Sequence, residues 1–407
     1  MKQISYLIFI TLITLSLSQC GLETEQKNTL SNLQVGSQPD GSILVPTNQL
    51  LRPAGFQILF PGRPVDLALS PDEKWLAVLN KNSLDLIRVL DRTIMQTLSM
   101  KGGGGSFNGI AFSADGKQIY VSQARDKISI AQIGKDNILS WIEPIKFQQP
   151  EIGGHPVPGG FAINENGDKL FVPLSRSNSL AVVGLANNSI SEIPVGISPY
   201  EVALLSSRKA YVSNWGGRRP VEGDSTYPSS GSEVVIDNET GIASSGTVSV
   251  IDLELSRQVG SIEVGLHPGA MVLSPDKSLL YVACANSDVV SVIDTKTDAV
   301  VEEISVRMEK DLPFGSAPNA LAISHDGKQL FVANGTDNAL CVIQLDNNNE
   351  IAGFIPTGWY PGGVIMDKEG KVLFIANTKG IGSRNTRSDR PGYNTHQHMK
   401  YLYYFDA

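Results

Sequence analysis

PNALAISHDGKQLFVANGTDNALCVIQLD spans residues 318–346 and holds the pattern on which the fold is read. Pro318 opens it, and a short run of small and apolar residues follows at 319–324. Ser324-His325-Asp326-Gly327 then interrupts the run. Asp-Gly supplies the positive φ that a tight hairpin requires. A second run, rich in aromatic and β-branched residues, closes on Asn334, and a third closes on Asp346. Short apolar runs of strand length between turn residues read as antiparallel strands.

The phrase recurs from Pro64, Ser106, Pro158, Pro199, Pro268, Pro318 and Pro361. The starts lie 41 to 52 residues apart, except for one stretch of 69. A four-stranded propeller blade takes about 40–50 residues. The innermost strands would be VDLALS (65–70), NGIAFS (108–113), GGFAIN (159–164), YEVALL (200–205), GAMVLS (269–274), NALAIS (319–324) and GGVIMD (362–367). Their small residues suit strands crowded around a central channel. Third strands include TVSVIDL (247–253) and VVSVIDT (289–295), and fourth strands include QVGSIEVG (258–265) and IAGFIPTG (351–358). The last repeat has a third strand, KYLYYFDA (400–407), and no fourth; the orphan GFQILFPG (55–62) stands ahead of the first repeat. Pairing the two would close the ring and leave no open sheet edge. The expectation is an all-β, seven-bladed propeller of four-stranded blades over residues 43–407, closed by an N-terminal strand. A pair of β-sandwiches is the competing architecture, and seven copies of one phrase disfavour it.

Composition is consistent with this. The 407 residues are 41% hydrophobic and 18% charged, with 39 glycines and 22 prolines, as many short strands and tight turns demand. The formal net charge of -8 argues against a nucleic-acid partner, which would require a basic footprint. Cys284 and Cys341 sit inside apolar strands of different repeats and read as buried thiols, a disulfide between them being geometrically unfavourable. No Cys-x-x-Cys-His is present for covalent haem.

The first 20 residues read as a separate unit. Lys2 precedes ISYLIFITLITLSL (4–17), fourteen residues long, short for a membrane span of about 20 and suited to a secretory signal. LSLSQC ends in Cys20 and resembles a bacterial lipoprotein signal, with Gln19 where a small residue is usual. That resemblance implies lipidation at Cys20, a membrane partner through the lipid anchor, and a place in the bacterial cell envelope, periplasmic or on the exposed outer membrane. An ordinary signal peptide is the alternative. Residues 21–42 are polar, lack periodicity and read as a flexible tether.

The phrases YVSN, YVAC, FVAN and VSVID, between residues 211 and 334, resemble the YVTN-repeat β-propellers of bacteria and archaea. SNWGGRRP (213–220), GLHPGAMVLSPD (265–276), GSAPNALAIS (315–324), GFIPTGWYPGG (353–363) and ANTKGIGSR (376–384) are similar to the N-terminal propeller of two-domain propeller/phosphoesterase proteins. The chain departs from that pattern in carrying no phosphoesterase sequence, so hydrolysis is not carried over.

A ligand is expected at one end of the ring. The blade-to-blade connections and the loops between second and third strands emerge together there, with the long insertions 215–245 and 378–399. Rigid scaffolds carry function on such loops. The candidate ligand-binding residues are Trp215, Arg218, Arg219, Lys379, Arg384, His155, His267 and Trp359. Arginine presents a donor fork to carboxylate or phosphate, so a protein, a glycan or an anionic small molecule is the expected partner. Pairing of these charges with one another or with the acids opposite, fixing the long loops over the channel, is the alternative. His155, His267, His396 and His398 could converge on a metal, but His-Pro turns explain the first two, and neither a metal nor another cofactor is expected. Gly-x-Ser-x-Gly, His-Glu-x-x-His and a phosphate loop are all missing from the sequence. The reading is a monomeric, non-enzymatic binding module, with a propeller enzyme of lactonase or oxidoreductase type as the alternative.

Overall fold

Each repeat becomes one antiparallel sheet because its strands meet in chain order through tight turns. The computed structural model of the protein describes residues 33–309, 311–312, 315–380 and 399–406. Cys20 lies outside them, as do Arg384, His396 and His398. Seven blades follow one another, with inner strands Pro64–Leu69, Gly105–Phe112, Ala162–Ile163, Ile197–Leu204, Pro268–Leu273, Pro318–Ile323 and Trp359–Met366. Six of the blade sheets are four-stranded; in blade two the outer strand is split into Leu139–Trp141 and Ile145–Lys146, both paired with Lys127–Ile133. No helix occurs among the described residues.

The hairpin turns explain the recurring Ser-x-Asp. Ser70 Oγ donates to Asp72 Oδ1 at 2.7 Å and accepts from Trp75 N at 3.0 Å, which fixes the turn that enters the second strand. The same bond recurs at Ser113–Asp115 (2.7 Å), Ser274–Asp276 (2.6 Å) and Ser324–Asp326 (2.6 Å). Second strands such as Trp75–Asn80 and Gln329–Asn334 are almost wholly buried, whereas the outer strand Thr93–Ser99 alternates between half-buried and exposed. β-branched and aromatic side chains fill the buried strands because both of their faces meet a neighbouring blade.

The core is divided among the junctions between blades. Leu79, Leu84, Phe112 and Val121 join blades one and two; Phe171, Ile193 and Val212 join three and four; Leu340, Val342 and Ile375 join six and seven. The ring closes as expected. Phe56–Pro61 pairs antiparallel with Met399–Asp406, from Phe56↔Tyr404 to Pro61↔Met399, and is the outer strand of blade seven. Ile58 then packs with Leu67, Leu76 and Phe374, across the junction of blades seven and one.

Ahead of the propeller in sequence, the described residues up to Arg52 form a unit of their own. Within it Gly36–Ser37, Ile43–Leu44 and Leu50–Leu51 make a small three-stranded sheet, which begins inside the segment read as a tether.

Candidate functional site

The mouth of the channel is assembled by side chains that anchor the blade-to-blade connections. Asn80 ends the second strand of blade one, almost fully buried. Its Nδ2 donates to Pro61 O at 2.8 Å, and its Oδ1 accepts from Arg63 N. Gly62 has φ +123, and a Cβ there would lie 2.1 Å from Asn80 Nδ2, so only glycine lets the connection pass. This pins Arg63 at the rim of a cavity of about 410 Å³.

One wall of that cavity is an aromatic stack. Phe107 and Tyr200 stack at 4.9 Å between ring centroids, Tyr200 and Trp215 at 4.3 Å, and Trp215 and His267 at 4.5 Å. The rings come from blades two, four and five. Gly159 lets the Tyr200 strand pass: a Cβ there would collide with Tyr200 O and lie 3.3 Å from the Phe107 ring. Ser213 Oγ donates to Gly269 O at 2.7 Å and locks the Trp215 strand against blade five. Tyr360 faces the stack from blade seven, with φ +63 and its N–H donating to Asn338 Oδ1 at 2.9 Å.

The charge at the mouth is positive in a protein whose net charge is negative. Arg63 and Lys81 line the cavity, and among the described residues no Asp or Glu does. Arg63 Nε is buried without a hydrogen-bond partner. Lys379 Nζ lies 4.1 Å from the Tyr360 ring centroid and 5.6 Å from that of Trp359. Burial, and then the positive charge of Arg63, holds the Lys379 ammonium below the usual lysine range. His267 has φ +57, and burial lowers its pKa, so its ring is neutral at pH 7. Its Nδ1 is buried and unpartnered.

A second cavity of about 450 Å³ shares Phe107, Trp215 and His267 with the first. It lies beneath the hairpin Thr226–Ser229/Ser232–Val235, which the blade-four insertion forms. Three rings of the stack, Phe107, Trp215 and His267, are thus common to both cavities.

Below the mouth the channel narrows to a cavity of about 210 Å³ that holds Asp66, Asn108 and Glu201. Burial, and for Glu201 also the charge of Asp66, raises both carboxyls above their ordinary range.

The structure brings Trp215 and His267 together at the mouth, with Trp359 and Lys379 joined to it through Tyr360. The Arg218 guanidinium pairs with both oxygens of Asp224, at 2.6 and 2.7 Å. Arg219 donates to Val195 O at 2.8 Å and Asn178 O at 2.9 Å, which ties the insertion to blade three. Neither lines the cavity, and His155 is exposed on its own turn. No three His, Cys, Asp or Glu side chains converge as a metal centre among the described residues.

Arg63, Lys81, Phe107, Tyr200, Tyr360 and the channel carboxylates escaped the sequence reading. The signal for the inner ones was register. The residue after each blade-opening proline, or its counterpart, is Val65, Phe107, Gly159, Tyr200, Gly269, Asn319 or Gly362. Two bulky rings among small residues mark the mouth.

Three likenesses to known proteins bear on this site. A family model described as "Lactonase, 7-bladed beta-propeller" matches residues 252–381. The seven-bladed beta-propeller protein Rv1057 of Mycobacterium tuberculosis (strain ATCC 25618 / H37Rv) is 30% identical over 132 residues; the match spans 31% of this chain and 31% of the relative. The solved structure of Kuenenia stuttgartiensis hydrazine synthase superposes with a TM-score of 0.61 at 16% identity, covering 78% of this chain and 93% of that one. The last likeness is one of fold alone. Together they support a bacterial β-propeller, here built of seven blades.

Proposed function

We propose that this is a binding protein of the bacterial envelope, a YVTN-type propeller whose channel mouth captures a small anion bearing a flat or apolar face. The observation that carries the reading is the cavity wall itself: four stacked rings beside Arg63, with a buried, unpartnered Nε and no carboxylate on the lining. Rings offer a stacking platform, and an unsatisfied guanidinium N–H calls for an acceptor. Sugar acids and aromatic carboxylates have both features. Trp215 reports occupancy directly. Titration with glucuronate and with benzoate, followed by tryptophan fluorescence, is expected to show saturable binding by one of them. Arg63→Gln should weaken it at least about tenfold, the loss of one charge-assisted hydrogen bond. Failure of both anions to bind, or equal affinity in Arg63→Gln, would reject the site.

One observation favours a second reading, lactone hydrolysis. The segment that matches the lactonase model includes His267, Asn319 and Tyr360, all of which line the mouth. Turnover of sugar lactones that His267→Asn abolishes would replace the binding reading with this one.

The anchor is proposed at Cys20 on the form of the signal alone. Several acyl chains on one cysteine hold a protein firmly where a single chain does not. Growth with a clickable fatty acid is expected to label the wild type and not Cys20→Ser; an unlabelled wild type would remove the anchor.

A further inference from the structure

The second residue after each blade-opening proline, or its counterpart, forms a ring around the channel one level below the mouth. In four blades it is Gly160, Ala270, Ala320 or Gly363. In the other three it is Asp66, Asn108 or Glu201, and all seven positions line the same cavity. Crowding asks for glycine or alanine here, so three oxygen-bearing side chains at one level are a departure that packing does not explain.

Their mutual arrangement is fixed. Asp66 Oδ1 accepts from Leu67 N at 2.8 Å, and Oδ2 accepts from Gly109 N at 2.7 Å. Asn108 Nδ2 donates to Glu201 Oε2 at 3.4 Å. The dipeptide Asn108-Gly109 therefore holds a carboxylate on each side. Gly109 has φ +105, and a Cβ would lie 2.4 Å from Ser122 Oγ and 2.5 Å from Gly159 O, so no other residue brings that N–H to Asp66. Gly160 leaves room for the pair: a Cβ would lie 2.4 Å from Asn108 Nδ2 and 3.1 Å from Glu201 Cγ.

Two features of this ring ask for a cation. Asn108 is only 7% exposed, and its Oδ1 is buried with no hydrogen-bond partner. No Lys, Arg or His among the described residues lines the cavity to neutralise the two carboxylates. Buried carboxyl groups in proteins are protonated, paired or bound to metal, and an orphaned amide oxygen is a further hard donor.

We propose that the channel binds a divalent cation, calcium by preference, on the carboxylates of Asp66 and Glu201 and the Oδ1 of Asn108. Calcium accepts carboxylate, amide and water oxygens in flexible geometry, whereas magnesium demands a near-ideal octahedron and sheds water reluctantly. Two carboxylates and one amide place the affinity with the weak extracellular class, about 10⁻⁴–10⁻³ M. Entry is from the mouth, since Tyr200, Asn319 and Gly362 line both cavities. Occupancy would cross-link blades one, two and four through their inner strands.

Terbium replaces calcium at oxygen sites and is sensitised by nearby aromatic rings, and Tyr200 lines this cavity. Terbium luminescence on the purified full chain is expected to saturate, to be displaced by calcium, and to resist the same concentration of magnesium. Glu201→Gln and Asn108→Ala should each weaken binding at least tenfold while melting like the wild type in chelator. Gly160→Ala, which removes no donor, should also weaken terbium binding, by filling the gap between Asn108 and Glu201. Arg63→Gln, which serves the anion at the mouth, should leave terbium binding unchanged, so failure of one site is distinct from failure of the other. Luminescence that calcium does not displace, or that survives both Glu201→Gln and Asn108→Ala, overturns the proposal. Independently of any variant, calorimetry on the wild type that shows less than one calcium per chain at about 10⁻² M overturns it too.

Discussion

At His267 the backbone takes a left-handed φ of +57, the ring stacks on Trp215 at 4.5 Å, and Nδ1 has no partner. The φ belongs to the blade connection, since Val157, Ser198, Ala317 and Tyr360 take it too before their prolines; the unsatisfied Nδ1 is what sets His267 apart. Burial lowers the folded pKa of His267 below its value in the unfolded chain, about 6.5. The unfolded chain therefore binds the extra proton first as pH falls. Its contribution to stability is complete above about pH 6.5 and is lost as pH drops through the lowered folded value. His267→Asn keeps a residue that tolerates the left-handed region. The difference between the urea-unfolding profiles of wild type and His267→Asn is expected to shrink from pH 7 towards pH 5; a constant difference would refute a neutral buried imidazole. His267 and Trp215 were legible in the sequence because they sit on turns and insertions. Asp66, Asn108 and Glu201 were not, because they hide inside strands whose common property is smallness. For Arg218 the sequence left ligand binding and charge pairing both open, and the structure shows Nη1 and Nη2 paired with Asp224, six residues on.

Among the elements, the hairpins were the most legible. Ser-x-Asp at fixed spacing is a local device, with a hydroxyl and a carboxylate that close the same turn in at least four blades. The asparagine that ends a second strand proved to be a longer-range one. Asn334 Nδ2 donates to Val306 O at 2.7 Å, as Asn80 Nδ2 does to Pro61 O, so that position ties a blade to the connection entering it. Cys284 takes that place in blade five, and burial pushes its thiol up to about 11. It is buried and free, as is Cys341. The split outer strand of blade two and the sheet of two-residue strands at Gly36–Leu51 were not foreseen. Runs that short carry no period to detect.

The propeller depends on a closure between strands far apart in sequence. Ile58 is 7% exposed and packs on Leu67 and Phe374, whereas its neighbour Leu59 is 42% exposed. Ile58→Ala is expected to cost about 2–5 kcal/mol, the range for truncating a buried aliphatic side chain. Leu59→Ala should stay within about 0.5 kcal/mol. Urea unfolding of the two variants checks this, and equal losses would mean that the closing strand is not part of the core. The same pairing sets an order of events during synthesis. The outer strand of blade seven leaves the ribosome before any blade is made, and its partner, Met399–Asp406, leaves after all the others. Blades one to six mature alongside their chain neighbours, yet the arc they form keeps two raw edges until that late partner arrives. A nascent chain therefore spends most of its translation with the first strand of its propeller waiting, and a chaperone that shields this strand would act on every molecule made, not only on those that misfold.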